Sequence, residues 1–292
     1  MIIEMIPTLP LEIKRAINQD TLVIFLGAGI SKQFNLPLWN ELTSRLLSNL
    51  VDDGLLSPSE KSLFNLDLLA DNKKIISIVY EKYRSSGRLD DSNSKLKEYL
   101  TICKSQENLI TKFIDAIPAL YLTTNVDNSL DVLFPPENRY YQSDYQWPLT
   151  GNSIVHIHGK LDDMSTLVFI ASQYISRYTD NQYIDYLSRV FASGRTILFI
   201  GYSLTEFELL EKIKRNIPLE SSYEIFTLSP YFSYQLPLKQ SLDLYFASLS
   251  ISQLAYNIDE SGYKQLEFVL KEWLLDIERS SLSIVIKKRI NI

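Results

Sequence analysis

The sequence predicts an α/β fold in which a mostly parallel β-sheet is flanked by helices. Six short apolar runs recur along the 292 residues with little polar alternation, as is typical of strands covered on both faces. Segments with helical spacing separate most of these runs, and strands that alternate with helices favour a parallel sheet. The 46% hydrophobic and 22% charged composition is ordinary for a globular protein with a sizeable core.

The predicted strands are rich in Ile, Leu, Val and Phe. In chain order they are residues 21–26, 119–124, 153–158, 195–201, 223–229 and 247–254. The clearest helical patterns are residues 38–51, 185–193, 206–217 and 263–280.

Three segments interrupt this alternation within a single predicted domain of residues 1–292. Residues 38–117 contain only helical patterns, which indicates a helical subdomain inserted between the first two strands. Residues 134–152 form an aromatic loop insertion. The tail, residues 281–292, is apolar and then basic, and we expect it to form either an extra strand or a contact for another chain.

Composition excludes several classes of function. A net charge of −6 argues against nucleic-acid binding as the main task, although a local basic patch is compatible with it. The single cysteine, Cys103, leaves no partner for an internal disulfide and no four-thiolate zinc site. The start of the sequence lacks the basic n-region of a signal peptide and contains prolines at positions 7 and 10, and no stretch approaches the length of a membrane span. We therefore expect a cytoplasmic protein without membrane contact.

The first candidate site is the turn Gly27-Ala28-Gly29, which follows the strand at 21–26. Missing side chains and a helix N-terminus beyond them suit a phosphate group, although a tight strand-to-helix turn has the same pattern. The third glycine of the dehydrogenase fingerprint is replaced by Lys32. A dehydrogenase also needs a second strand soon afterwards, whereas the residues after Pro37 have helical spacing. The dehydrogenase interpretation therefore fails.

Two further candidates lie where predicted strands end. Asn125 and Asp127 follow the strand at 119–124, at the carboxyl edge where open α/β sheets bind ligands. An Asx-type helix cap would produce the same pattern. His156 and His158, the two histidines of the chain, alternate on the strand at 153–158 and are expected to share a face. His158, beside Gly159, suits a general base, and two packed core histidines are the alternative.

The last candidates follow the strand at 195–201. Gly201 and Ser203 suit a second cradle for phosphate or ribose, and Glu206 fits the first turn of a helix. A structural turn is the alternative. The aromatic residues 139–147 either fold over a ligand or pack the loop onto the body.

The order of these motifs carries a resemblance. G-A-G-I-S, then T-N-V-D, then H-G at a strand end, then G-Y-S-L is the order found in the sirtuin-like family, and the chain resembles it over roughly residues 20–255. It looks most like the zinc-free bacterial sirtuin-like domains that hydrolyse NAD+ in antiphage defence, and "LPLWNEL" is similar to that branch. The resemblance implies a Rossmann-like sheet without a zinc module.

The same resemblance implies a site for NAD+ as the substrate and no metal. Asn125 would orient the attacking water, and His158 would be the general base. Asp127 would contact the nicotinamide end, and Ser229 would lie near the adenosine. The residues implied to bind NAD+ are Gly27, Ala28, Gly29, Ser31, Asp127, Gly201, Ser203 and Ser229.

The implied reaction is hydrolysis of the nicotinamide–ribose bond, which gives nicotinamide and ADP-ribose or its cyclic form. An NAD-dependent deacylase or ADP-ribosyltransferase is the second hypothesis. It is weakened because the chain lacks the four zinc cysteines and the aspartate-phenylalanine-arginine segment of the deacylases. The third hypothesis is a catalytically idle nucleotide sensor or scaffold, against which the joint presence of Asn125, Asp127 and His158 argues.

An unrestrained NADase would be toxic to its host, so the sequence also raises the question of control. We expect a homo-oligomer or a separate regulatory protein, for which the resemblance suggests a HerA-type ATPase. The helical insertion 38–117 and the tail 281–292 are the segments expected to make these contacts.

Overall fold

A computed structural model describes residues 2–65, 71–102, 108–142, 145–191, 194–204, 209–211 and 224–290. Within them, seven strands form one sheet in which every pair of neighbours is parallel. The strands are β1 (Leu22–Leu26), β2 (Leu120–Thr123), β3 (Arg139–Tyr140), β4 (Ser153–His156), β5 (Thr196–Ile200), β6 (Glu224–Tyr231) and β7 (Ile251–Asn257). The predicted α/β class with a parallel, Rossmann-like sheet is confirmed.

The strand order β3-β4-β2-β1-β5-β6-β7 places β1 at the centre of the sheet. Leu26, its last residue, is in register with Thr123 of β2 and Ile200 of β5. Because the three strands run in the same direction, the turns that follow them leave the sheet side by side. This carboxyl edge carries the candidate site.

Helices cover both faces of the sheet. They are α1 (Leu11–Gln19), α2 (Ala28–Gln33), α3 (Trp39–Asp52), α4 (Pro58–Asn65), α5 (Asn72–Ser85), α6 (Leu89–Leu100), α7 (Leu109–Ala116), α8 (Ala171–Thr179), α9 (Asn181–Val190), α10 (Leu236–Ser248) and α11 (Gln265–Ile290). Ile24 of β1 packs in the core formed with α1, α7 and α11, and Phe25 packs in the core formed with α8, α9 and α10. Adjacent residues of one strand therefore serve opposite cores, which explains the continuous apolar runs in the sequence.

The described residues between β1 and β2 form helices α2 to α7. A third apolar core lies among α3, α5 and α6, and it also includes Phe169 and other residues of the segment after β4. The Trp39 and Phe169 rings stack with their centroids 5.3 Å apart. At the end of α3, Asp53 binds the Tyr83 hydroxyl and the Lys95 ammonium, which ties α3 to α5 and α6.

Some predicted element boundaries are wrong. The last strand was expected at residues 247–254, but α10 extends to Ser248 and β7 runs from Ile251 to Asn257. The two-residue strand β3 lies inside the predicted aromatic loop. The predicted helix at 206–217 and the Cys103 side chain lie largely or wholly outside the described residues.

The tail is not an extra strand, because residues 281–290 continue helix α11. Residues 265–290 contain neither glycine nor proline, so the sequence offers the helix no break. Among the helices of the described ranges, none combines the length and the apolar character that crossing a bilayer requires.

Candidate active site

The turns after β1 and β5 contact each other through their backbones. The Gly27 N–H donates to the Ile200 carbonyl at 3.0 Å, and the Gly29 N–H donates to the Gly201 carbonyl at 2.9 Å. A Cβ atom on Gly27 would lie 2.4 Å from the Gly201 carbonyl oxygen, and one on Gly201 would lie 2.8 Å from the Ile30 nitrogen. These glycines are therefore required by the contact between the turns, and the first glycine turn leads into α2 at Ala28 as the sequence predicts.

The Asn125 side chain joins the turn after β2 to the turn after β1. Its Nδ2 donates to the Gly27 carbonyl at 2.9 Å and to the Ser31 Oγ at 2.8 Å. Its backbone N–H donates to the Thr123 Oγ1 at 3.0 Å. Because the Gly27 carbonyl can only accept, this contact fixes which end of the amide is Nδ2. The two Nδ2 hydrogens are thereby used, and Oδ1 is the acceptor that the amide retains for a ligand.

Ser31 and Asp127 extend this network. The Ser31 hydroxyl accepts from Asn125 and donates to the Asp127 Oδ2 at 2.6 Å, across 96 residues of sequence. The Asp127 Oδ1 accepts the Ser129 N–H at 3.0 Å. The local Asx-type contact is therefore present, but the second carboxylate oxygen also binds α2. Ser31, Asn125 and Asp127 are all buried, so the structure brings three of the predicted site residues into one hydrogen-bonded cluster.

His158 lies in an aromatic environment. Its side chain is fully buried, its ring meets the edges of Tyr174 and Tyr178, and its Nε2 lies 3.0 Å from the Tyr178 hydroxyl. Its Nδ1 is buried and has no hydrogen-bond partner among the described residues. Burial, together with the positive charges of Arg177 and Lys73, holds the pKa of His158 well below its usual 6.5. The ring is therefore neutral at physiological pH and able to accept a proton.

His156 does not share the surroundings of His158. Its Nδ1 lies 3.0 Å from the Asn125 carbonyl oxygen, and its Nε2 lies 2.9 Å from the Asp131 Oδ1. The expectation that the two rings share a face is wrong, because β4 ends at His156 and the backbone turns at Gly159, whose φ is +76°. Asp131 lies in a short 3₁₀ helix after the T-N-V-D motif and was not predicted from the sequence.

The remaining predicted residues lie along the same edge of the sheet. Gly201 forms the turn after β5, and Ser203 lies two residues beyond it with an exposed side chain. Ser229, the last residue of the predicted strand at 223–229, lies within β6, beside Ala255 of β7. Glu206 lies outside the described residues.

The aromatic loop packs onto the body where it is described. Tyr145 and Trp147 are buried, and the Trp147 ring meets the Tyr186 ring at 5.0 Å and 90°. The Arg177 guanidinium lies 5.4 Å from the ring centroids of both Tyr145 and Tyr183. Packing onto the body accounts for the burial of these two loop residues.

A separate cavity of about 280 Å³ lies in the helical region. Its lining is mainly apolar and includes Leu46, Val79, Leu96, Met164 and Phe169. None of the predicted site residues lines it. In the part of the chain that the structure describes, no group of three His, Cys, Asp or Glu residues is placed to hold a metal ion.

Comparison with known proteins adds three similarities. Residues 119–246 match the model of the SIR2-like domain. The chain is 23% identical over 268 residues to Defense-associated sirtuin 2 of Bacillus subtilis, an alignment that covers 88% of this chain and 25% of the relative. It is 25% identical over 206 residues to NAD(+) hydrolase ThsA of Cytobacillus dafuensis, covering 68% of this chain and 38% of the relative. The chain thus spans well under half the length of these relatives.

Proposed function

We propose that this protein is an NAD+ glycohydrolase, which the match of residues 119–246 to the SIR2-like domain supports. It cleaves the bond between nicotinamide and ribose and releases nicotinamide and ADP-ribose. The observation that carries the proposal is the Asn125 amide, held by Gly27 and Ser31 so that Oδ1 is its remaining acceptor. The similarity to a protein named NAD(+) hydrolase supports the same substrate.

Asn125 orients the nucleophile in this proposal. Its Oδ1 accepts a hydrogen from the attacking water, so that a lone pair of the water oxygen faces C1′ of the nicotinamide ribose. Because Gly27 and Ser31 hold the side-chain amide and Thr123 binds the backbone N–H, little reorganisation is needed as the reaction proceeds.

Asp127 supplies negative charge where positive charge develops. When the C1′–N bond breaks, its electron pair neutralises the departing pyridinium nitrogen, and the ribose acquires oxocarbenium character. Nicotinamide therefore leaves without a general acid. The Asp127 carboxylate, held by Ser31 and the Ser129 N–H, stabilises the cationic sugar.

His158 accepts the proton released by water or by a ribose hydroxyl. Its ring is neutral, and its buried Nδ1, which has no hydrogen-bond partner among the described residues, is available for this task. The ring is fully enclosed beside Tyr174 and Tyr178, so the proposal requires these side chains to make room when NAD+ binds. We assign Gly27, Ala28, Gly29 and Gly201 to the phosphate end of the site, with Ser203 and Ser229 further along the edge.

The biological role that we propose is depletion of NAD+ in antiphage defence, which the name of the Bacillus subtilis relative supports. Control by self-assembly or by a separate protein such as a HerA-type ATPase belongs to the same proposal.

The first test is chromatography of NAD+ after incubation with the purified protein. We expect nicotinamide and ADP-ribose to appear with the wild type. Asn125→Ala and His158→Ala should each lower the rate by about 10²-fold or more, since each removes a group that acts at the reacting atoms. Asn138→Ala, at a partly exposed asparagine that binds the Asn152 carbonyl, is the matched control and should keep wild-type activity.

Two results would contradict the proposal. One is release of nicotinamide at an unchanged rate by Asn125→Ala. The other is intact NAD+ with no binding of NAD+ by calorimetry. Intact but tightly bound NAD+ would instead support the nucleotide-sensor hypothesis.

A further inference from the structure

His156 contacts two oxygen atoms that the proposed mechanism does not use. Its side chain is 1% exposed, and its ring nitrogens lie 3.0 Å from the Asn125 carbonyl oxygen and 2.9 Å from the Asp131 Oδ1. A backbone carbonyl oxygen can only accept a hydrogen bond, so Nδ1 must carry a hydrogen.

The second nitrogen faces an ionised carboxylate. Lys160 Nζ lies 2.5 Å from the other oxygen of Asp131. Because this ammonium group lies directly against it, the Asp131 carboxyl is ionised whatever the charge of His156. An ionised carboxylate also only accepts, so Nε2 must carry a hydrogen as well. A histidine ring with both hydrogens is an imidazolium cation.

The charges around the ring are arranged to hold such a cation. Asp131 lies between His156 and Lys160, and its side chain is only 8% exposed. Asp162, on the far side of Lys160, lies 3.5 Å from its ammonium group with a largely exposed side chain. The buried carboxylate is thus shared by His156 and Lys160, and His156 is the one of the two that contacts Asn125.

His156 also completes the set of contacts at Asn125. The backbone N–H binds Thr123, and the side-chain Nδ2 binds Gly27 and Ser31. With the carbonyl bound by His156, every polar group of Asn125 except Oδ1 has a partner within the protein.

We propose that His156 is a positioning residue, held as an imidazolium between Asp131 and the Asn125 carbonyl, that fixes Asn125 for its work on the substrate. The proposal rests on the catalytic role given above to Asn125. Its physical part, the charged ring bound to the carbonyl, does not depend on the reaction.

Two substitutions separate the two contacts of the ring. In His156→Asn, the amide nitrogen replaces Nδ1, so the donor to Asn125 is retained and the donor to Asp131 is lost. In His156→Gln, the amide nitrogen replaces Nε2, so the donor to Asp131 is retained and the donor to Asn125 is lost. Lys160→Met is the matched control, because it removes the other cation on Asp131 and leaves the Asn125 contact in place.

The first measurement is ¹⁵N NMR of histidine-labelled protein at pH 7.5. The chain has two histidines, so His158→Asn assigns the signals of His156. We expect both ring nitrogens of His156 to show the imidazolium signature. One protonated and one unprotonated nitrogen would overturn the proposal.

The second measurement reads the Asn125 carbonyl directly. Asn125–Val126 is the only Asn–Val pair in the sequence, so ¹³C′-asparagine and ¹⁵N-valine labelling gives one correlation. We expect the Asn125 ¹³C′ frequency to change in His156→Gln and to stay near that of the wild type in His156→Asn and Lys160→Met. An unchanged frequency in a folded His156→Gln protein would overturn the proposal without reference to catalysis.

The third measurement is the steady-state kinetics of NAD+ cleavage. We expect His156→Gln to lower kcat about tenfold or more with little change in KM, and His156→Asn to lower it much less. Equal losses in both variants would contradict positioning through the carbonyl. If the wild type does not cleave NAD+, the proposed function fails, and the two NMR measurements still decide whether His156 is charged and bound to Asn125.

Discussion

The polar residues at the carboxyl edge are joined by hydrogen bonds whose directions are fixed by chemistry. Asn125 donates to Ser31, and Ser31 donates to Asp127, because the Gly27 carbonyl fixes the orientation of the amide. The Ser31 hydroxyl therefore uses its one hydrogen in the bond to Asp127. Contact between Ser31 and a pyrophosphate, which remains a prediction, would need this hydroxyl to act as an acceptor or to change partner.

A pH dependence follows from the buried His158. Its pKa is lowered in the folded state by burial and by Arg177 and Lys73, so the unfolded chain binds the proton more readily. Above pH 6.5 His158 is neutral in both the folded and the unfolded chain, so it costs the folded protein no stability. As the pH falls below 6.5, the unfolded chain binds a proton at His158 and the free energy of unfolding decreases. We expect the wild type to lose up to about 1.4 kcal/mol per pH unit more than His158→Asn between pH 6.5 and 5.5.

Urea unfolding of both proteins at several pH values measures this difference. Carboxyl groups titrate mainly below this range, and His156 is present in both proteins, so the difference in slope belongs to His158. Equal slopes would show that His158 is not held neutral.

The sequence motifs located the hydrogen-bonded cluster but not the pair of residues, Asp131 and His156, that lies next to it. Ser31, Asn125 and Asp127 were selected by motif order, and the structure places them together. Asp131 and His156 were not selected as a pair, because their contact depends on β4 ending at His156 and on a 3₁₀ helix that carries Asp131. Neither feature has a local sequence signal that hydrophobic periodicity detects.

At the level of elements, the contact between the glycine turns after β1 and β5 leaves no room for a side chain at Gly27, Gly29 or Gly201. Gly201 has a φ of +64°, and an added Cβ would meet the backbone of Gly29 and Ile30. We expect Gly201→Ala to destabilise the fold by roughly 3 kcal/mol, from the left-handed backbone and the backbone clash together.

Gly54 is the matched control for this substitution. Its φ is +71°, but nothing lies within 4 Å of an added Cβ. Gly54→Ala should therefore cost only about 1–2 kcal/mol, the price of the left-handed conformation alone. Chemical denaturation of both variants separates the cost of the left-handed backbone from the cost of the backbone clash. Equal losses of unfolding free energy in the two variants would show that the close contact between the turns contributes nothing.

Strand prediction succeeded where burial is continuous and failed where it is not. The apolar runs of β1, β2 and β5 were located to within one residue at each end, since both faces of these strands are covered. In β7, at the edge of the sheet, the four residues after Ile251 are partly or fully exposed, and the apolar pattern placed the start of the strand four residues early. Strand β3 has two residues, which is too few to show a hydrophobic periodicity.

At the level of the whole molecule, assembly remains a proposal for which the helical tail offers a test. We expect the chain to form a homo-oligomer. Deletion of residues 281–292 should lower the number of subunits in that oligomer, as measured by light scattering. Residues 281–290 extend α11, and the segment 281–292 has the apolar-basic sequence "SLSIVIKKRINI".

Two outcomes would change this assignment. A monomeric wild type would contradict self-assembly of the isolated chain. An unchanged oligomer mass after the deletion would exclude the tail and leave the helical region 38–117 as the segment to test next.

The central position of β1 also has a consequence for protein synthesis. β1 needs β2 on one side and β5 on the other, so a growing polypeptide cannot enclose it until residue 200 has left the ribosome. At about 5–20 residues per second, that delay after β1 is roughly 10–30 s. Until then Gly201 cannot contact the first glycine turn, and an incomplete nascent chain has no finished site. The strand order thus delays the proposed NAD+ cleavage until at least two thirds of the given sequence has been synthesised.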